Sequence, residues 1–166
     1  LGYVEFMGLV RSAALVVTDS VYSVDGEPAP VGQLYRTARE HNAVLLVDEA
    51  HALGVRGPGG RGVVAESKLS GARDLVVTAV CSKSLGAQGG VVLGSGEIRE
   101  HLVDVARTFI FDTGLAPAAT GAALGALRRF VAEPTMVARV RDAAARIADA
   151  LGVDRPAGAV LSAPTP

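Results

Sequence analysis

The chain is short of several residue types, and each shortage excludes a kind of protein. Its 166 residues include a single cysteine, Cys81, so no disulfide can form within the chain. Tryptophan is absent and only 4% of the residues are aromatic, so the core has to be built from Val, Leu and Ala. The hydrophobic content of 49% is typical of a globular protein and excludes a disordered one.

An excess of charge of one sign is also lacking. Sixteen Lys and Arg oppose 17 Asp and Glu, and no run of five like charges occurs. Nucleic acids and anionic membranes attract basic surfaces, so neither is expected as a partner. The longest apolar stretches, such as 43–47, run to about five residues, whereas a spanning helix needs roughly 20. No secretory leader pattern is visible, and the sequence therefore predicts a cytoplasmic protein.

Short apolar runs separated by helical patterns indicate the fold class. Strands are predicted at 13–17, 43–47, 75–80 and 89–93, with a further strand-like run at 159–161. Helices are predicted at 31–41, 97–106, 117–131 and 134–151. Strands that are apolar throughout and alternate with helices predict an α/β fold, with a mostly parallel sheet covered by helices on both faces.

Ligands of such sheets bind beyond the carboxyl ends of the strands, and polar residues follow three of the predicted strands. They are Asp19, Ser20 and Ser23, then Asp48 and His51, then Ser82 and Lys83. Asp48 follows five apolar residues and needs a cation or a hydrogen-bond donor beside it. Lys83 and Lys68 are the only lysines. A lysine at a strand end indicates a site that uses an amine, because an arginine side chain cannot lose its proton or bond to a carbonyl carbon.

Each of these residues alone is equally compatible with a structural role. Asp48 could cap a turn or pair with a cation, His51 could be an ordinary loop histidine, and Lys83 a solvated surface lysine. The segment 54–62 carries five glycines and one proline, which predicts tight turns and a close approach of backbone segments.

Three blocks of residues, in this order and spacing, carry a resemblance to a known family. They are TDSVYSVDG at 18–26, LVDEAH at 46–51 followed by the glycines of 54–62, and SKSLG at 82–86 followed by Gly89 and Gly90; the similarity continues through RTFIFDTGLAP at 107–117. These blocks resemble the α-oxoamine synthases, fold-type I enzymes that use pyridoxal 5′-phosphate. The resemblance covers about 13–130 and is strongest to actinobacterial members that act in biotin biosynthesis.

The resemblance implies roles for six residues. Lys83 would bond to the cofactor and later move the substrate's α-proton, with His51 as the second catalytic residue. Asp48 would pair with the ring nitrogen, while His51 and Ser23 would lie near the phenolic oxygen. Two hydroxyls would contact the cofactor phosphate: Ser82, and Thr113 from the neighbouring subunit of a homodimer. The family usually has a Thr three residues before the lysine, where this chain has Val80; losing that hydroxyl would weaken phosphate binding by about 1.5–3 kcal/mol.

The implied reaction joins an amino acid, L-alanine, to an acyl thioester such as pimeloyl-CoA or the pimeloyl acyl carrier protein, with loss of carbon dioxide. Three other family activities stay open: those of 2-amino-3-ketobutyrate CoA ligase, 5-aminolevulinate synthase and serine palmitoyltransferase. An inactive fragment stays open as well, because the sequence looks cut from something longer. The predicted division is 1–133, the central part of the cofactor-binding large domain, and 134–166, a connecting helix and the start of a truncated small domain.

One unrelated enzyme class shares part of this pattern. Residues 45–51 also spell an apolar strand followed by the DEAH of helicase ATPases, in which Asp and Glu manage magnesium and water. That interpretation requires a glycine-rich phosphate loop ending in Lys-Ser or Lys-Thr, and neither Lys68 nor Lys83 supplies one. No metal site is predicted, because three scattered histidines and one cysteine do not form a ligand set.

Overall fold

A four-stranded sheet forms the centre of the computed structural model, which describes residues 14–164. The strands are β1 (Leu15–Asp19), β2 (Val44–Asp48), β3 (Leu75–Val80) and β4 (Gly90–Leu93), adjacent in that order. The first three run parallel, and β4 runs antiparallel to β3. The mostly parallel sheet is thus confirmed. The reversal at β4 has a simple cause, because the link at 81–89 is shorter than the dozen residues that a parallel crossover needs.

The described residues also form six α-helices. They are α1 (Val31–Glu40), α2 (Gly62–Glu66), α3 (Gly96–Val105), α4 (Arg107–Ile110), α5 (Pro117–Ala132) and α6 (Thr135–Leu151). The four long ones agree with the predicted helices to within one residue at each end. The short helices α2 and α4 were not predicted, and one turn of 3₁₀ helix at Pro58–Gly60 lies inside the glycine-rich segment.

The strand predicted at 159–161 is wrong. Those residues have no regular structure and pack over the loop that follows β1. A Cβ on Gly26 would lie 2.5 Å from the carbonyl oxygen of Val160, so the two segments touch through their backbones. The hydroxyl of Ser162 donates a hydrogen bond to the carbonyl of Val24. Contacts with a loop therefore take the place of a strand ladder there.

The sheet packs against helices on both faces. On one face Val16, Leu45 and Val47 pack against α1 and α2, in a cluster of Val, Leu and Ala with one aromatic, Tyr35. On the other face Leu15, Val44, Leu46 and Val76 pack against Ile98 and Leu102 of α3. This confirms the expected core composition and the helices on both faces.

The second face is covered only along part of its length. The residues that α3 covers are mainly those near the amino ends of the strands. Further along, Val17 is 63% exposed and Asp48 and Thr78 are half-buried. The carboxyl ends of the three parallel strands therefore leave an open surface on this face, which is where the predicted ligand site lies.

Within the described part of the chain, no helix is both long enough and apolar enough to cross a membrane.

Candidate active site

Lys83 and His51 are in direct contact at the carboxyl end of the sheet. The Nζ atom of Lys83 lies 2.7 Å from Nε2 of His51. Lys83 stands in the turn after β3 and His51 in the turn after β2, and these strands are neighbours in the sheet. The sequence predicted that the two residues meet at one edge of a parallel sheet, and the structure brings them together.

The turn that carries Lys83 is closed by backbone hydrogen bonds. The N–H of Ala87 donates to the carbonyl of Cys81 at 2.8 Å, and that of Gly86 donates to the carbonyl of Lys83 at 3.0 Å. Cys81 and Leu85 are buried and hold the turn down, whereas the Lys83 side chain is exposed. The amine is therefore presented to solvent from a rigid base.

The glycine-rich segment packs directly beneath this turn. A Cβ built on Gly54 would lie 2.6 Å from the Cβ of Ser84, and Gly54 has a φ of +78°. Only glycine combines that backbone conformation with so close an approach. The predicted close approach of backbone segments is confirmed at Gly57, where a Cβ would lie 2.1 Å from the carbonyl oxygen of Gly62.

Asp48 is held by two hydrogen bonds, one to each carboxylate oxygen. Oδ1 accepts from the backbone N–H of Ala50 and Oδ2 accepts from the Thr78 hydroxyl, both at 2.7 Å. β2 extends to Asp48 itself, one residue beyond the predicted strand, so the pleat fixes the direction of this side chain. An ionised carboxylate offers about four acceptor positions, which leaves capacity for a further donor.

The adjacent Glu49 has a different role, which the sequence did not reveal. Its side chain is buried, and its carboxylate accepts hydrogen bonds from the Ser20 hydroxyl at 2.8 Å and from the N–H groups of Val63 and Val64 at 3.0 and 2.7 Å. A Cβ on Gly62 would lie 2.6 Å from the Glu49 carboxyl carbon. Enclosed in this way, Glu49 cannot position magnesium and water as the ATPase interpretation requires.

The other predicted site residues lie on the exposed surface of the loops. Ser23 stands in the turn after β1, Ser82 immediately precedes Lys83, and Thr113 lies in the loop between α4 and α5. Their contacts with a phenolic oxygen and a phosphate stay predictions. Val80, at the end of β3, lies on the same face as Thr78 and Asp48 because side chains alternate along a strand.

A cavity of about 350 Å³ opens beside the amine. Lys83, His51 and Ser84 line it together with the apolar side chains of Phe130, Met136 and Val140. Among the described residues, no group of three or more His, Cys, Asp or Glu side chains is placed to hold a metal ion.

The donor set fits a pyridoxal phosphate ring. An accessible amine at Lys83 can bond to its aldehyde carbon, and Asp48, anchored on two sides with acceptor capacity left, can accept a hydrogen bond from a protonated ring nitrogen. The imidazole of His51 adds a hydrogen-bonding group next to the amine. These three groups stand at the ends of two adjacent strands on a surface that the protein leaves open.

Comparison with known proteins agrees with this donor set. Residues 8–160 match the family described as aminotransferase class I and II. The 8-amino-7-oxononanoate synthase of Mycolicibacterium vanbaalenii is 57% identical over 153 residues, which cover 92% of this chain and 40% of that protein. This chain therefore spans about 40% of the length of the curated relatives that it matches.

Solved structures give the same result. The serine palmitoyltransferase of Sphingomonas wittichii has a TM-score of 0.78 and 29% identity, covering 89% of this chain and 38% of that one. A serine palmitoyltransferase solved with pyridoxal phosphate has a TM-score of 0.72 and 31% identity, covering 89% and 39%. The predicted fold-type I architecture and the likeness to α-oxoamine synthases are confirmed. With its matched residues covering nearly the whole chain, this protein belongs to the aminotransferase class I and II family.

Proposed function

We propose that this protein is a pyridoxal-phosphate-dependent acyltransferase of the 8-amino-7-oxononanoate synthase type. It would condense L-alanine with a pimeloyl thioester, on coenzyme A or on acyl carrier protein, and release carbon dioxide and the free thiol carrier. The observation that carries the proposal is the contact of the Lys83 amine with His51 beside the anchored Asp48. The 57% identical relative of that name supports the choice among the α-oxoamine synthases.

Pyridoxal phosphate is the cofactor of this family of enzymes, and when bound it supplies an electron sink for the carbanion formed at the amino acid's α-carbon. Lys83 would hold it covalently and Asp48 would pair with its ring nitrogen. His51 and Ser23 would bind the phenolic oxygen. Ser82 and Thr113 would bind the phosphate, with Thr113 coming from the second subunit of a homodimer. Action in the cytoplasm belongs to the same proposal.

Proton transfer falls to Lys83 and His51. Once freed from the cofactor, the Lys83 amine can take the α-proton of the amino acid, which Arg could not do. The Nε2 atom of His51 lies within hydrogen-bond distance of Nζ, so it can orient the amine and share its proton. The hydrogen-bonded turn at 81–89 keeps the Lys83 amine in place during this proton transfer.

The cofactor assignment is tested by trapping. The protein is mixed with pyridoxal phosphate, reduced with borohydride, digested and analysed by mass spectrometry. We expect the pyridoxyl phosphate group on the Lys83 peptide, and we expect Lys83→Arg to abolish it. Lys68→Arg is the matched control, since Lys68 is the only other lysine and should stay unlabelled. Label on Lys68, with none on Lys83, would overturn the assignment.

The reaction is tested by the choice of substrates. Coenzyme A release is measured with alanine and pimeloyl-CoA, with serine and palmitoyl-CoA, and with glycine and either acetyl-CoA or succinyl-CoA. Because this chain spans 40% of its relative, the assay includes a chimera in which it replaces the matching segment of the M. vanbaalenii protein. We expect the chimera to prefer alanine and pimeloyl-CoA. Preference for another pair would reassign the activity, and no turnover with any pair would favour an inactive segment.

A further inference from the structure

The geometry points to Thr78 as a positioning residue for the cofactor site: its hydroxyl fixes the Asp48 carboxylate in the orientation that meets the ring nitrogen. Thr78 does not belong to the three sequence blocks that resemble the α-oxoamine synthases. The inference rests on the proposed function, because it concerns the residue through which the cofactor ring is held. The inference adds to the site a hydroxyl that lies on β3, whereas Asp48 lies on β2.

The contact follows from the register of the sheet. Asp48 and Thr78 are directly paired across the parallel strands β2 and β3, so their side chains emerge next to each other on one face. The Thr78 hydroxyl then donates to Oδ2 of Asp48 at 2.7 Å. A hydrogen bond of this length to an ionised acceptor is of the strong, charge-assisted kind.

Thr78 also stands out within its own strand. β3 reads LVVTAV, and Thr78 is its one polar residue. The side chain is half-buried at the point where the cover of α3 ends, so it borders the open surface of the site. A valine, which matches threonine in shape, would suit the strand equally well, so packing alone does not explain the hydroxyl.

The two hydrogen bonds of Asp48 act together. The N–H of Ala50 holds Oδ1 while the Thr78 hydroxyl holds Oδ2, so the carboxylate plane has two fixed points and cannot turn about its terminal torsion. Without the Thr78 hydroxyl only the hydrogen bond from Ala50 remains, and the carboxylate can rotate about its terminal torsion. Displacements of about 1 Å at a reacting group can cost on the order of 10²-fold in rate, so a fixed plane has functional value.

The test compares two ligands that differ only at the ring nitrogen: pyridoxal phosphate and its 1-deaza analogue, in which a C–H replaces that nitrogen. Dissociation constants are measured for the unchanged protein and for Thr78→Val and Thr78→Ser. We expect Thr78→Val to weaken pyridoxal phosphate about tenfold and to leave the analogue almost unchanged. Thr78→Ser, which keeps the hydroxyl, should restore the preference for pyridoxal phosphate over the analogue.

Two controls separate positioning from general structure. Thr18→Val makes the same change in β1, where the hydroxyl donates to the Asp19 carbonyl and contacts the Tyr22 hydroxyl, and it should leave the ratio of the two dissociation constants unchanged. In an Asp48→Ala background, Thr78→Val should have no further effect, because the group it positions is gone. If Thr78→Val does not fold, Thr78→Ala takes its place in both comparisons.

The outcomes are distinct. Equal weakening of both ligands by Thr78→Val, or no weakening of either, would overturn the positioning role while the proposed function stands. A further loss in the Asp48→Ala background would also overturn it. If the unchanged protein binds neither ligand, the proposed function fails and this inference fails with it.

Discussion

Asp48 and Glu49 are neighbours in the chain, yet their carboxylates lie on opposite faces of the sheet and in different environments. Glu49 lies on the face covered by α1 and α2, is only 3% exposed, and accepts three hydrogen bonds from the protein itself. Asp48 lies on the face that α3 leaves open, is half-buried, and accepts two. One carboxylate is committed to the fold, and the other is anchored and still able to accept a donor.

The comparison shows that the side of the strand decides the role of each carboxylate. Around Glu49 the glycine-rich segment closes in, since Gly62 leaves no room for a Cβ beside the carboxylate. Around Asp48 the residues paired with it on the two neighbouring strands, Asp19 and Thr78, are half-buried. Changes at Glu49 should therefore act on stability, and changes at Asp48 on binding and chemistry.

The largest effect is expected from Glu49→Ala. This change leaves the Ser20 hydroxyl and the N–H groups of Val63 and Val64 without their acceptor, and we expect a loss of about 3–5 kcal/mol in the free energy of unfolding. Urea denaturation followed by circular dichroism measures it. Glu49→Gln, which keeps both the shape and one acceptor oxygen, should lose less. A loss below about 1 kcal/mol for Glu49→Ala would show that these bonds are not stabilising.

Asp48→Ala should show the opposite pattern. We expect unfolding to change by about 1 kcal/mol, because Asp48 is half-buried and only Thr78 and Ala50 lose a partner. Exchange of the α-proton of alanine, followed by NMR in deuterated water, should fall by at least about 10²-fold, since an unprotonated ring is a poor electron sink. Asp48→Glu should lie in between. Near-normal exchange in Asp48→Ala would remove its assigned role.

Val80→Thr should improve the site without changing the fold. The new hydroxyl stands on the same face as Asp48, at the position where the resemblance to the α-oxoamine synthases implies a threonine that contacts the phosphate. We expect pyridoxal phosphate to bind about tenfold more tightly, as one added hydrogen bond to a charged group allows. The dissociation constant is measured by absorbance titration. Unchanged binding would show that Val80 does not face the phosphate.

The smallest effect concerns a third carboxylate, Glu66, which is paired but exposed. Hydrogen bonding from the Arg56 guanidinium lowers the pKa of Glu66 below its ordinary value of 4.5. A group whose folded-state pKa is lowered stabilises the protein above that ordinary value, and its contribution is lost as the pH falls through the lowered pKa. The pair is solvent-screened, so we expect less than about 1 kcal/mol.

The measurement compares Glu66→Gln with the unchanged protein in urea unfolding from about pH 7 to about pH 3. Because other carboxyls titrate in the same range, the difference between the two proteins isolates Glu66. It should be present near neutral pH and vanish on acidification. A difference that grows at low pH would contradict the assigned sign.

Much of this architecture could be predicted from local sequence. Periodicity and prolines located the four long helices, and apolar runs located the strands to within two residues. The meeting of Lys83 and His51 followed from one rule about parallel sheets. The reversal at β4 was not predicted, although the short link at 81–89 implies it.

What could not be predicted depends on contacts between distant parts of the chain. The start of α2 is fixed by Glu49, fourteen residues before Val63, and no local pattern reveals that bond. The link between Thr78 and Asp48 requires the register of β2 against β3, which pairs residues thirty positions apart. A lone threonine within LVVTAV is the only signal, and it gains meaning only when the paired residue is known.

The most direct test of the central claim is a crystal structure of the protein grown with pyridoxal phosphate. The account predicts continuous density from Nζ of Lys83 to the cofactor, with the ring nitrogen within hydrogen-bond distance of Asp48 and the Thr78 hydroxyl still bonded to Oδ2. Glu49 should keep its bonds to Ser20, Val63 and Val64. Cofactor bound elsewhere, or its ring nitrogen facing away from Asp48, would contradict the account.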